Sequence, residues 1–254
     1  MFLRSPADIC IYGGAAGGGK TYALLLECLR HIDNKLFEAV IFRQSRPQIM
    51  SAGGLYATSQ EIYPHLGASS VLTPNVQWRF QSGAKVTFAH MFYEKEKYNW
   101  QGSQIPLLMF DELVHFTESQ FFYMFSRNRS TCGVRPYIRA TCNPDGESWV
   151  ARFIDWWIDP ETGYADESRC GKLRYFIRRN NIIHWADTPQ QLYEEFHLYS
   201  PEEMEEVKSV SFISAKLTDN AAMMKHDPGY IGALKAMSEF DQEQLLNGNW
   251  KIRR

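Results

Sequence analysis

Short apolar blocks alternate along this chain with longer stretches in which apolar residues return every three or four positions. The blocks predict strands at Asp8–Gly13, Ala39–Arg43, Leu107–Asp111, Tyr137–Thr141, Leu173–Arg178 and Val210–Ser214. The stretches between them predict helices near Thr21–Ile32, Leu55–Tyr63, Thr117–Asn128, Ser148–Ile158, Pro189–Leu198 and Pro228–Met237. Strands and helices that alternate in this way pack as an α/β fold, a mostly parallel central sheet flanked by helices. One segment breaks the rhythm. Val76-Gln-Trp-Arg-Phe80 and Lys85-Val-Thr-Phe88 flank Gln81-Ser-Gly83, the pattern of an antiparallel hairpin, expected at an edge of the sheet.

Composition narrows the class. The 254 residues are 44% hydrophobic without a low-complexity tract, enough for one large α/β domain with a substantial core. No apolar run approaches the ~20 residues of a membrane span, and no membrane partner is expected. The opening Met-Phe-Leu-Arg-Ser-Pro runs too soon into a core strand for a signal peptide. Cys10, Cys28, Cys132, Cys142 and Cys170 form no Cys-x-x-Cys pair and read as packed, reduced thiols. A formal net charge of −2 excludes a globally basic nucleic-acid binder, so any contact with DNA falls to a local patch.

Chemistry enters at Gly14-Ala15-Ala16-Gly17-Gly18-Gly19-Lys20-Thr21, which fits GxxxxGK(S/T) between a predicted strand and a predicted helix. The glycines let the backbone wrap an anion, the amides point inward through Tyr22, and the helix N-terminus adds a favourable dipole. Lys20 would reach the β- and γ-phosphates of ATP, and the Thr21 hydroxyl would hold Mg²⁺.

The apolar run Ile105-Pro-Leu-Leu-Met-Phe110 ends in Asp111-Glu112. Asp111 would join the Mg²⁺ shell, while Glu112 would orient and deprotonate the attacking water. A glutamate after the metal-binding aspartate suits hydrolysis and is superfluous in a kinase. Tyr137-Ile-Arg-Ala-Thr141-Cys142-Asn143-Pro144 runs a further strand into a proline-fixed turn. If that strand lies beside the Asp-Glu strand, Thr141 and Asn143 come near the γ-phosphate, where an amide can sense it. The same residues also make an ordinary turn.

Ser119–Pro144 holds four arginines and no carboxylate. Three readings stay open for them: the ATP phosphates of a neighbouring subunit, a DNA backbone, or a solvated basic helix end. The acidic run Glu194–Glu206 predicts a solvated face. Trp156, Trp157 and Trp185 predict packing, and His115, which completes Asp-Glu-Leu-Val-His, predicts a capping or core histidine. Arg178, Arg179, Lys251, Arg253 and Arg254 are individually weak candidates for DNA or subunit contact.

Together, GGAAGGGKTYALLLE, YNWQGSQIPLLMFDELVHF, FSRNRS, IRATCNPDG, FIRRNNI, SVSFISAKLTDNAAMMKHDPGY and LLNGNW resemble the ATPase domain of tailed-phage terminase large subunits, motors that package DNA into procapsids. The resemblance implies a P-loop NTPase of the RecA-like, ASCE type and a Mg²⁺-dependent ATPase. It gives Lys20 and Thr21 the Walker A roles, Asp111 and Glu112 the Walker B roles, and makes Thr141, Cys142 and Asn143 the motif that couples hydrolysis to DNA movement. Some terminases carry a trans-acting arginine in an Arg-Gly pair before the Walker B strand. Here the corresponding pair is Gln101-Gly102, so Arg129, with Arg127 second, is the substitute expected from the basic run.

The implied partners are double-stranded DNA, other copies of the chain in a ring, the portal protein and the small terminase subunit, in the host cytoplasm and transiently on the procapsid. The family's nuclease domain would begin where this chain stops, and its adenine-reading glutamine would precede Met1. Residues 1–254 are therefore expected to be a single P-loop ATPase domain without nuclease activity, its C-terminal end a subdomain or a lead into a linker. The competing functions are a DExH-type helicase lobe and a non-hydrolysing, ATP-dependent scaffold.

Overall fold

The computed structural model describes residues 1–220, 225 and 229–252. Among them, ten strands form one sheet: β1 (Ile9–Gly14), β2 (Glu38–Arg43), β3 (Ser69–Val71), β4 (Val76–Arg79), β5 (Lys85–His90), β6 (Leu107–Phe110), β7 (Tyr137–Cys142), β8 (Leu173–Arg179), β9 (Ile182–Ala186) and β10 (Lys208–Ala215). Their spatial order is β3-β4-β5-β2-β6-β7-β1-β10-β8-β9. From β5 through β10 every pairing is parallel, and the pairings at either end are antiparallel. One strand, β7, therefore separates the phosphate-loop strand β1 from the acid strand β6.

Among the described residues, the α-helices of four residues or more are α1 (Lys20–Glu27), α2 (Arg46–Met50), α3 (Leu55–Gln60), α4 (Glu118–Phe125), α5 (Trp149–Phe153), α6 (Pro189–Glu195), α7 (Pro201–Met204) and α8 (Tyr230–Lys235). The central strands read as continuous apolar runs because both of their faces are buried. Ile9, Ile11, Phe42, Leu108 and Phe110 face the side covered by Phe121 of α4 and Trp149 and Phe153 of α5. Their neighbours Cys10, Ile41, Leu107 and Met109 face the opposite side, with Leu24 and Leu25 of α1.

Several details differ from the sequence pattern. β5 is an inner strand, parallel to β2, because β4 and β3 continue the sheet beyond it. β8 pairs antiparallel with both β10 and β9. The β8–β9 hairpin turns on Asn180 and Asn181, with φ of +50° and +64°, the left-handed pair that a two-residue type I′ turn needs. α1 stops at Glu27 and tightens into a 3₁₀ turn over Cys28–His31. The helix expected from Pro228 is present over Tyr230–Lys235, while residue 228 lies outside the described residues. Among the described residues, no helix is long and apolar enough to cross a membrane.

Register decides where the chemistry goes. Gly13 lies opposite Cys142, and Phe110 opposite Ala140. Phe42 in turn lies opposite Phe110. The carboxyl ends of β1, β7, β6 and β2 thus finish together, and Gly14, Asn143, Asp111 and Arg43 leave the sheet at one edge.

Candidate nucleotide site

The loop between β1 and α1 is shaped by its glycines. Gly14 has φ +142°, and a Cβ there would stand 2.4 Å from the carbonyl oxygen of Ala215. Gly19 caps α1 in the left-handed region, φ +75°, which an L side chain rarely adopts. The loop is braced from the far end of the chain. The Ala15 amide donates to the Ala215 carbonyl (2.9 Å), and the Ala16 amide to the Leu245 carbonyl (2.7 Å). The Asn220 side-chain amide donates to the Gly17 carbonyl at 2.8 Å.

Lys20 is only 7% exposed. Its ammonium donates to the carbonyl of Gly14 (3.1 Å), to that of Ala15, and to Asn143 Oδ1 (2.9 Å). Burial pushes its pKa below the usual lysine value, against the opposing pull of Glu112. Asp111, 2% exposed, accepts from the Thr141 hydroxyl at 2.6 Å and from the Thr21 hydroxyl at 3.3 Å. Arg43 Nε stands 3.5 Å from its other oxygen, with Nε and Nη1 buried and without hydrogen-bond partners.

Glu112 sits at φ +60°, ψ +63°, a left-handed conformation that costs a non-glycine residue about 1–3 kcal/mol. Its carboxylate accepts from both nitrogens of Asn143, Nδ2 to Oε1 and the backbone amide to Oε2, each at 3.0 Å. The Asn143 amide therefore bridges the loop lysine and the glutamate, accepting from one and donating to the other.

The donor set suits Mg²⁺. The Thr21 hydroxyl and the Asp111 carboxylate are hard oxygen ligands already within 3.3 Å of one another. No group of three or more His, Cys, Asp or Glu side chains placed to hold a metal ion occurs among the described residues. With two protein oxygens on offer, any ion held there would take its remaining ligands from outside the chain.

The structure brings Gly14–Thr21, Asp111, Glu112, Thr141 and Asn143 together and leaves other candidates elsewhere. Cys142 is fully buried in the core, turned away by strand alternation. Tyr22 is exposed on the first turn of α1. His115 is exposed at the end of a 3₁₀ turn and so lies outside the core, because the chain leaves the sheet after Glu112. Arg127 bonds its neighbour Ser126 and stacks on Tyr123, while Arg129 donates to the Ser103 carbonyl at 3.3 Å. Both lie at the amino ends of β6 and β7, opposite the phosphate loop and beside Gln101-Gly102.

Arg178 pairs with Glu118, and Arg179 with Glu206. Lys251 donates to the Pro160 carbonyl, and Arg253 and Arg254 lie outside the described residues. Trp157 is buried, with Trp156 and Trp185 half-buried around it. Arg43 and the Leu245 carbonyl escaped the sequence reading. The end position of Arg43 on an apolar strand was its only signal, and LLNGNW marked the C-terminal brace without saying what it touches.

The family model described as "Terminase large subunit, T4likevirus-type, N-terminal" matches residues 11–254. No curated protein matches. Among solved structures, the large terminase of a thermophilic bacteriophage in complex with ATP-gamma-S is 16% identical with TM-score 0.55, over 97% of this chain and 49% of that one. The Thermus phage P74-26 large terminase ATPase domain is 11% identical with TM-score 0.52, over 97% of this chain and 90% of that domain. This chain spans about half the length of the first of these terminases and shares its fold.

Proposed function

The chain belongs to the family of T4-like-virus-type terminase large subunits, to its N-terminal part, and from that premise we propose that it hydrolyses ATP to drive double-stranded DNA into a viral procapsid. The observation that carries this reading is the Asn143 bridge between Lys20 and Glu112. The lysine is folded back on loop carbonyls, and the glutamate is held by the amide. A triphosphate in the loop would draw Lys20 to the β- and γ-oxygens and free Asn143 Oδ1. The amide could then release Glu112 to accept the proton of the attacking water. Asp111 and Thr21 would hold Mg²⁺, which when bound neutralises charge on the β- and γ-phosphate oxygens. Thr141, on the same strand tip as Asn143, ties the Asp111 carboxylate to that movement.

Arg129 cannot reach the site of its own chain from the opposite edge, and that placement suits an arginine supplied to a neighbour. The working unit would be a ring of copies around DNA, docked through the portal protein, served by the small terminase subunit and located in the host cytoplasm. Residues 1–254 would act as its single ATPase domain, without nuclease activity of their own. The test is steady-state ATP turnover against protein concentration, with Glu112→Gln as the blank. Turnover per molecule should climb with concentration, and activity equal to the blank at every concentration would remove the hydrolytic reading.

A further inference from the structure

A second cavity opens at the amino ends of β1 and β7, across the sheet from the phosphate loop, with a volume of about 470 Å³. Its walls come from the chain start, the turn after α1 and the lead into β7, and they carry Arg4, Arg30, Arg135 and Arg139 against one carboxylate, Asp8. Asp8 is engaged by Arg135 at 3.1 Å, and Arg30 is held by the buried Glu27 beneath it. Glu205, at 3.6 Å, is a second acid near Arg135.

Among the described residues, Arg139 has no carboxylate within ion-pair distance. It is 4% exposed, stacks on the Tyr137 ring and donates to the carbonyls of Ala7 (3.0 Å), Ile138 (2.9 Å) and Ser5 (2.9 Å), while its Nε is buried without a hydrogen-bond partner. A guanidinium so deeply buried is normally compensated by an anion. Arg4, at the rim, makes no side-chain hydrogen bond or ion pair among the described residues and is exposed. The chain as a whole is acidic by two charges, so this concentration of arginine is local.

We propose that this cavity binds a backbone phosphate of double-stranded DNA. Planar guanidinium forks match phosphate oxygens in a way that lysine does not. Four guanidinium groups converge on this one opening, two of them held by acids, and several such groups together favour a polyanion over a small free anion. The assignment rests on the proposed DNA-translocating role, and it places the DNA contact on the edge of the sheet away from ATP.

The test is fluorescence anisotropy of a labelled blunt duplex with the full chain and no nucleotide, over a salt series. Arg4→Ala with Arg135→Ala should lower the slope of log affinity against log salt by about 2 and weaken binding about tenfold or more at low salt. Arg152→Ala with Lys235→Ala removes the same charge from α5 and α8 and should leave the slope unchanged. Arg4→Lys with Arg135→Lys should restore most of the slope and part of the affinity, and retained binding of an ATP analogue shows that each variant is folded. Equal slopes for the two alanine pairs would overturn the proposal. So would inorganic phosphate that displaces the duplex at matched phosphate concentration, which would make the cavity a free-phosphate site. Because the assay contains no nucleotide, a result against this cavity leaves the hydrolytic reading standing, and the reverse holds as well.

Discussion

The two edges of the parallel sheet are built from the same strands and carry opposite chemistry. At the carboxyl edge, Lys20, Asp111, Glu112 and Asn143 are bonded to one another or through Thr141, with Lys20 and Asp111 buried and Glu112 and Asn143 half-buried. At the amino edge, Arg127, Arg129 and Arg135 stand half-buried or exposed, held by backbone oxygens, by a hydroxyl or by acids, and of the four arginines Arg139 is the buried one, held by backbone carbonyls. β6 and β7 end in acids and an amide at one tip and are flanked by arginines at the other. A charged side chain is expensive to bury alone, so Lys20 and Asp111 are satisfied within the carboxyl edge, while the exposed Arg129 and Arg135 can wait for a partner. The comparison suggests that one edge is made for a small substrate and the other for a large one.

The largest way to break the contrast is Glu112→Gln. Losing a positioned base is expected to cut ATP turnover by about 10⁴-fold, the upper end for such a group, while titration with a non-hydrolysable analogue shows binding retained. At the opposite edge, Arg129→Ala should lower turnover of the assembled protein by about 10³-fold, the lower end for an arginine supplied in trans. Arg127→Ala should leave phosphate release close to wild type, and a larger effect there would exchange their roles.

Asn143→Ala leaves Lys20 and Glu112 without the group that joins them. We expect about 1–3 kcal/mol of destabilisation, read as a lower Tm without nucleotide and a smaller deficit with a bound ATP analogue. The mildest probe is alkylation of the native protein. Burial pushes Cys10 up to about 11 and Cys28 up to about 12, and it raises Cys142 as well. At pH 8 these thiols are protonated, so iodoacetamide should label Cys132 and Cys170 first, by mass spectrometry. Early labelling of Cys142 would mean that the strand tip carrying Thr141 and Asn143 opens readily.

The carboxyl edge was largely legible in the sequence because its parts are local. A phosphate loop needs its glycines, lysine and threonine in one run, and an acid pair after an apolar strand needs only that strand. Arg43 was not legible, since its place beside Asp111 depends on β2 and β6 being neighbours, which no local pattern states. The bridge by Asn143 depends on Glu112 taking a left-handed backbone, a choice the surrounding packing makes. β3 was missed because Ser69-Ser70-Val71 is too short and polar to show a period. The β8–β9 turn was legible in principle, since two asparagines in succession are what a type I′ turn favours. The amino edge was visible only as a run of arginines without acids. Their division into a half facing Ser103 and a half facing the start of β1 comes from the strand order alone.

The central claim is that these two edges serve one reaction in neighbouring chains. The most direct measurement mixes Glu112→Gln chains, which keep Arg129, with Arg129→Ala chains, which keep an intact site, at a concentration where the wild type is active. The account predicts ATP turnover in the mixture well above either variant alone, because intact sites meet intact arginines across the interface. Turnover no greater than the sum of the two separate variants would contradict it.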